Sequence, residues 1–226
     1  STPSNSSAAS DVYKRQSIDS GGWKLTLEGR EKIYTGFGHG DSGIITALAR
    51  CNHLLKTNSS REIIDTVIKK HKSLFSYENK GWYRTNEKEL IGYGWCHGTS
   101  GILLSRVLLK QWGYKNIDDD IKCAMDICST RSFGNNTSLC HGDFSSLEIM
   151  RLAGNILCDN EVLEKERLSF HWLYENVMQK RYGGQCFRGT EVLGLMLGLS
   201  GYVYSLVQHS SCLLYTSDAA DELDGV

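Results

Sequence analysis

The sequence predicts an all-α protein, a ring of helical hairpins that this chain leaves incomplete. Three observations predict it. The only proline is Pro3, close to the N-terminus, and beyond it apolar residues recur at the three- and four-residue spacing of amphipathic helices. Gly-x-x-Gly turns open successive apolar helices at Gly40-Asp41-Ser42-Gly43, Gly98-Thr99-Ser100-Gly101 and Gly198-Leu199-Ser200-Gly201, which is an internal repeat. The helices between them carry Lys, Glu and Asp on one face. Inner, buried helices wrapped by outer, half-solvated ones account for the alternation, with the glycine turns collected at one rim. A solenoid of helical hairpins shares the period, but a closed ring better explains ligands converging from separated repeats.

The two ends are set aside. Ser6 to Gln16 reads like the translation of a transposase-type sequencing adapter, and Cys212 to Glu222 like that of its reverse complement. Two unrelated natural termini would have to match opposite strands of one oligonucleotide, so residues 1–16 and 212–226 are expected to be adapter-derived artefact. Residues 17–211 remain as a partial domain. The trimming lowers Lys plus Arg from 25 to 23 and Asp plus Glu from 26 to 21, so the net charge moves from -1 to +2. Neither balance suits a nucleic-acid partner. No apolar run is long enough for a membrane span.

The elements follow in order. Ile44, Leu48, Cys51 and Leu55 form a stripe after Gly43, and Ile63, Ile64, Val67 and Ile68 follow Ser59 and Glu62, a capping-box signature. These make one hairpin. Leu103, Leu104, Val107 and Leu108 follow Gly101, and Ile121, Ala124, Met125 and Cys128 follow the acidic entry Asp118-Asp119-Asp120. These make a second. Residues 144–157 and 161–177 give a third, and 199–208 begins a fourth.

Seven cysteines lie within 17–211. An odd number at low density argues for a reducing, cytoplasmic setting. Cys51, Cys123, Cys128 and Cys158 sit in helical patterns as buried free thiols, and Cys186 has no neighbouring histidine. Cys140-His141 differs, because adjacent side chains diverge in regular helix or strand, so both can face one ion only from a turn. Adding Cys96 from Trp95-Cys96-His97-Gly98 makes two thiolates and an imidazole available. That set suits Zn2+ with one coordination position open for chemistry.

The segments Gly36-Phe37-Gly38-His39-Gly40-Asp41-Ser42-Gly43, Trp95-Cys96-His97-Gly98-Thr99-Ser100-Gly101 and Leu139-Cys140-His141-Gly142-Asp143 resemble, in order, the glycine-turn motifs of lanthionine synthetase C-like cyclases. They are most similar to the C-terminal cyclase domain of bifunctional class II lanthipeptide synthetases. The resemblance implies an α/α toroid, a double ring of some seven hairpins of which 17–211 is a later part. It implies zinc at Cys96, Cys140 and His141, a general acid or base at His39, and His97 beside the site as a residue that orients substrate or ligands. The implied reaction is addition of a Cys thiolate to dehydroalanine or dehydrobutyrine in a dehydrated precursor peptide, forming a thioether ring, with a dehydratase domain N-terminal to the cyclase. The family's acidic catalytic partner has no match in 17–35, so this fragment is expected not to cyclise. Ser145 stands where the family has glycine and is expected to strain the turn behind His141.

Two alternatives are a non-catalytic toroid that binds zinc or a small thiol, and a glycan-active toroid. The second needs paired carboxylates at the mouth, for which Asp41 and Asp143 are the candidates; otherwise both cap helices. Trp95 is expected to pack. His53, His71, His171 and His209 lack partner motifs and are expected at the surface or in the core.

Overall fold

The computed structural model describes residues 21–27, 30–131, 133, 136–180 and 192–209. The flanks 1–16 and 212–226, and Cys186, lie outside the described residues. A short antiparallel hairpin of β1 (Lys24–Leu27) and β2 (Arg30–Ile33) pairs Lys24 with Ile33. It precedes α1 (Asp41–Leu55) and α2 (Arg61–Lys72). A two-residue hairpin, β3 (Phe75–Ser76) and β4 (Gly81–Trp82), opens the long loop to α3 (Thr99–Gln111) and α4 (Asp118–Thr130). Then come α5 (Asp143–Leu157), α6 (Asn160–Lys180) and a last helix, α7, over 199–209. The fold is all-α with two minimal hairpins of strand.

Sequence neighbours pair as α1 with α2, α3 with α4, and α5 with α6, while α3 packs on both α1 and α5. The odd-numbered helices are the inner layer. The main core joins Ile45 and Ala49 of α1 to Ile64 and Val67 of α2, and Ile102 and Leu103 of α3 to Ala124 of α4 and Met150 of α5. Removing one such side chain, as in Ile64→Ala, costs about 2–5 kcal/mol. A second cluster, Phe144, Leu147, Phe170 and Leu173, carries Tyr202 and Leu206 of α7.

The inner helices meet through small and hydroxyl residues. Thr46 donates to Ser105 at 2.8 Å between α1 and α3, and Ser100 and Ser146 share a bond of 2.9 Å between α3 and α5. This shifts the buried face of α1 from the expected stripe. Ile45, Ala49 and Asn52 are buried, whereas Cys51 and Leu55 are exposed. Polar groups that pair across a close helix contact displace the apolar stripe by one residue. Cys158 is also exposed, at the left-handed end of α5, and Cys123 is half-buried, so of the four helical cysteines only Cys128 is a buried thiol. The capping box before α2 does not form: Ser60 makes no side-chain cap, and Arg61 instead donates its backbone N–H to Asn58 in a turn.

A chain of buried polar groups fastens the first two hairpins. Asp41 accepts the Trp23 backbone N–H at 2.9 Å and faces His71 Nε2 at 3.7 Å, while Arg106 reaches His71 Nδ1 at 3.1 Å and Asp120 at 2.8 Å. An arginine only donates, so His71 Nδ1 accepts and Nε2 carries the proton that faces Asp41. Burial pushes the His71 pKa down, which keeps the ring neutral. Asp41 is therefore a buried acceptor in the core rather than a helix cap. Asp143 is likewise held by Arg131 at 3.0 Å, with no side-chain cap on α5.

Candidate metal centre

Four turns at the rim share one hydrogen-bond scheme. The N–H of the first helical residue reaches the carbonyl seven residues earlier: Asp41 to Tyr34 at 2.8 Å, Thr99 to Gly92 at 2.9 Å, Asp143 to Asn136 at 2.6 Å and Leu199 to Val192 at 2.8 Å. In three of them the serine of the glycine turn repeats the reach with its hydroxyl, Ser42 to Thr35, Ser100 to Tyr93 and Ser200 to Leu193. Successive turns are then stitched together by Phe37 N–H to Trp95 O at 3.2 Å, Cys96 N–H to Cys140 O at 3.2 Å and Cys140 N–H to Met196 O at 2.9 Å. Backbone bonds between repeats thus set where the motif side chains stand.

The third turn has Phe144 and Ser145 where the others have serine and glycine. Ser145 is buried and accepts the Trp95 N–H at 3.0 Å. It ties the second motif to the third instead of straining the turn, since Gly142 keeps an extended backbone and α5 starts on register at Asp143. Trp95 packs half-buried against the core and against the Phe37 ring.

This stitching brings one ligand atom each from Cys96, Cys140 and His141 within 4.8 Å of one another. Tetrahedral zinc ligands stand about 3.5–3.8 Å apart, given bonds of about 2.0–2.3 Å, so small side-chain rotations close the set. Close backbone approach is required: a Cβ on Gly94 would lie 2.6 Å from both Cα and Cβ of His141. Burial, and then the neighbouring Cys96, push the Cys140 thiol up to about 12. A Cys140 thiol so placed stays protonated by itself, and a divalent cation supplies the positive charge that its ionisation needs. The donor set and its packing fit a metal.

Cys96 and His141 line a cleft of about 720 Å3 whose walls also include Lys80, Arg84, Tyr93 and His97, while Cys140 joins them from outside the lining. His39 is not among the clustered atoms or the lining residues; it stacks on His97 with ring centroids 4.7 Å apart. Tyr34 is a second ring neighbour of His97, tilted, with centroids 5.7 Å apart. Burial first, and then the positive potential of His39, Arg84 and His141, lower His97 to about 4, so its ring is neutral at pH 7. Lys80, Arg84 and Tyr93 carry no sequence motif, because they reach the cleft from the loop between α2 and α3. Of the remaining histidines, His71 and His209 are buried among charged partners, His53 stacks on Trp112 and His171 is exposed. Among the described residues no carboxylate lines the cleft, and Asp41 and Asp143 are both buried away from it in polar contacts of the core, so neither stands at the mouth as glycan hydrolysis would need.

A partial toroid of helical hairpins whose rim gathers two thiols and an imidazole at an open cleft defines a class of metal-competent α/α ring proteins. The sequence model of the family described as "Lanthionine synthetase C-like protein" matches residues 6–212, and the chain belongs to that family. The matched span takes in part of the adapter-like flanks. Among solved structures, one titled "Nisin cyclase" is similar, with a TM-score of 0.63 and 19% identity over 78% of this chain and 46% of that one. At that identity the likeness is one of fold, and this chain spans just under half of that structure's length. A search among curated proteins finds no match. No described helix is long and apolar enough to cross a membrane.

Proposed function

We propose that this chain is the zinc-binding part of a peptide cyclase that forms lanthionine or methyllanthionine rings. The observation that carries the proposal is the convergence of Cys96, Cys140 and His141 within 4.8 Å beside the cleft, in a chain of the lanthionine synthetase C-like family. Cys96, Cys140 and His141 would hold the ion. Zinc there supplies a Lewis acid that lowers the pKa of a substrate cysteine thiol while leaving its sulfur nucleophilic.

The remaining steps fall to the chain's own side chains. The substrate thiol gives up its proton to solvent, sulfur bonds to the β-carbon of dehydroalanine or dehydrobutyrine, the alkene electron pair moves toward the α-carbon and its carbonyl, and the α-carbon then takes one proton. No redox partner is required. His39 supplies that proton as general acid, and the stacked His97, neutral at working pH, holds the His39 ring and orients the substrate. The substrate is a dehydrated precursor peptide, delivered in the cytoplasm by a dehydratase domain that precedes the cyclase in a class II arrangement.

The test uses the uninterrupted protein, zinc-loaded, and a dehydrated peptide, and counts alkylatable thiols because cyclisation leaves mass unchanged. His39→Asn is expected to retain zinc and to cyclise at least about a hundredfold more slowly, the scale of general acid catalysis. Undiminished cyclisation by His39→Asn would remove its acid role. Zinc binding with no loss of thiols in the unsubstituted protein would identify a thiol-binding module instead.

A further inference from the structure

We propose that Lys80 and Arg84 form a carboxylate subsite on the wall of the metal cleft, so that substrate peptides with an acidic group near the reacting cysteine are preferred. This rests on the cyclase reading for the identity of the ligand, but the subsite itself is argued from charge and packing. The lining includes the cations Lys80, Arg84 and Arg131, with no Asp or Glu. Arg131 is neutralised by buried Asp143 at 3.0 Å and bonded to Ser146 at 2.7 Å. Lys80 and Arg84 pair with no carboxylate among the described residues.

The acids closest to Arg84 in sequence are directed elsewhere. Glu87 and Glu89 both bind Lys32, at 2.5 and 2.9 Å, and the Lys32 side chain is only 10% exposed. One buried lysine thus holds two carboxylates that would otherwise quench the wall of the cleft. Arg84 itself is built in. Its backbone N–H donates to Leu90 O at 2.7 Å and its carbonyl accepts Thr35 N–H at 3.0 Å. Its stem crosses Gly92, where a Cβ would lie 3.0 Å from Arg84 Cγ and 1.6 Å from the His97 carbonyl oxygen. Glycine at 92 therefore lets the arginine stem lie beside the His97 backbone, with an exposed guanidinium at the cleft. A guanidinium fork with an ammonium lining the same cleft suits a carboxylate, which accepts charge-assisted hydrogen bonds from both. The occupant is a substrate carboxylate, either an Asp or Glu side chain or the peptide's C-terminus.

The test is calorimetric titration of the zinc-loaded chain with short peptides. N-acetyl-Cys-Gly-Glu-amide is compared with its Gln counterpart, and N-acetyl-Cys-Gly with a free C-terminus is compared with its amide, which separates the two sources of carboxylate. At least one acidic peptide is expected to bind about three- to tenfold more tightly than its neutral partner, the difference shrinking with salt. In a Lys80→Gln, Arg84→Gln double variant the acidic preference is lost while neutral peptides bind unchanged. Equal affinities for every acidic and neutral pair, or a preference that survives in the double variant, overturns the subsite. Serine in place of cysteine in the same peptides isolates the carboxylate contribution from any thiol–metal contact. Loss of thiol binding with an intact acidic preference therefore counts against the cyclase reading and not against the subsite.

Discussion

Zinc affinity should be steeply dependent on pH, and Cys140 is the reason. Its thiol is held at about 12 by burial and by Cys96, so at neutral pH it carries a proton that a metal ion must expel. The sign follows directly: a ligand protonated in the metal-free chain and ionised in the bound one makes affinity rise with pH. One proton released per ion gives about a tenfold gain for each pH unit. Because about 12 lies far above the accessible range, that gain continues without a plateau from about pH 6.5 to 8.5, amounting to about a hundredfold from Cys140 alone. Competition with a colorimetric chelator across that range measures the slope. Cys140→Ser should weaken binding and lower the slope by one proton. A slope below one in the unsubstituted chain, a plateau before pH 8.5, or an unchanged slope in Cys140→Ser would each refute the argument.

Three further perturbations probe the framework of the site. Gly94→Ala places a methyl 2.6 Å from the His141 Cα and Cβ, so it should displace that ligand and lower zinc affinity by at least about tenfold, with helix content by circular dichroism retained. Arg106→Met strands Asp120 in the core and leaves His71 Nδ1 without its donor, which should destabilise the chain by about 3–5 kcal/mol in urea unfolding; a change below about 1 kcal/mol would show that the network contributes no more than a surface pair. His209 on α7 is 2.9 Å from Glu166 and 3.4 Å from Glu148. Burial alone would lower its pKa, but the two carboxylates outweigh burial and raise it. Its stabilising contribution is thus full below the unfolded value of about 6.5 and lost as pH rises through the folded one. Hydrogen exchange over 199–209, corrected for intrinsic rates, should quicken with rising pH, and His209→Gln should remove that dependence.

The sequence by itself determined the helices and the identity of the metal-competent residues, because both signals are local. A three- to four-residue apolar period is written within each helix, and Cys140-His141 at a glycine turn restricts the backbone to a geometry in which neighbours converge. The Gly-x-Ser-Gly repeat also contains the serines that bond seven residues back. Tertiary structure decided whatever depends on pairing between distant residues. Thr46 and Ser105 are separated by 59 positions, and their bond selects which face of α1 is buried, against the apolar stripe. Arg106 stands within an apolar run, and only the meeting of α2, α3 and α4 shows it spanning His71 and Asp120. The charge of the cleft is likewise a tertiary property. Glu87 and Glu89 follow Arg84 closely in sequence, and it is Lys32, on a different hairpin, that takes both acids and leaves the arginine to the site.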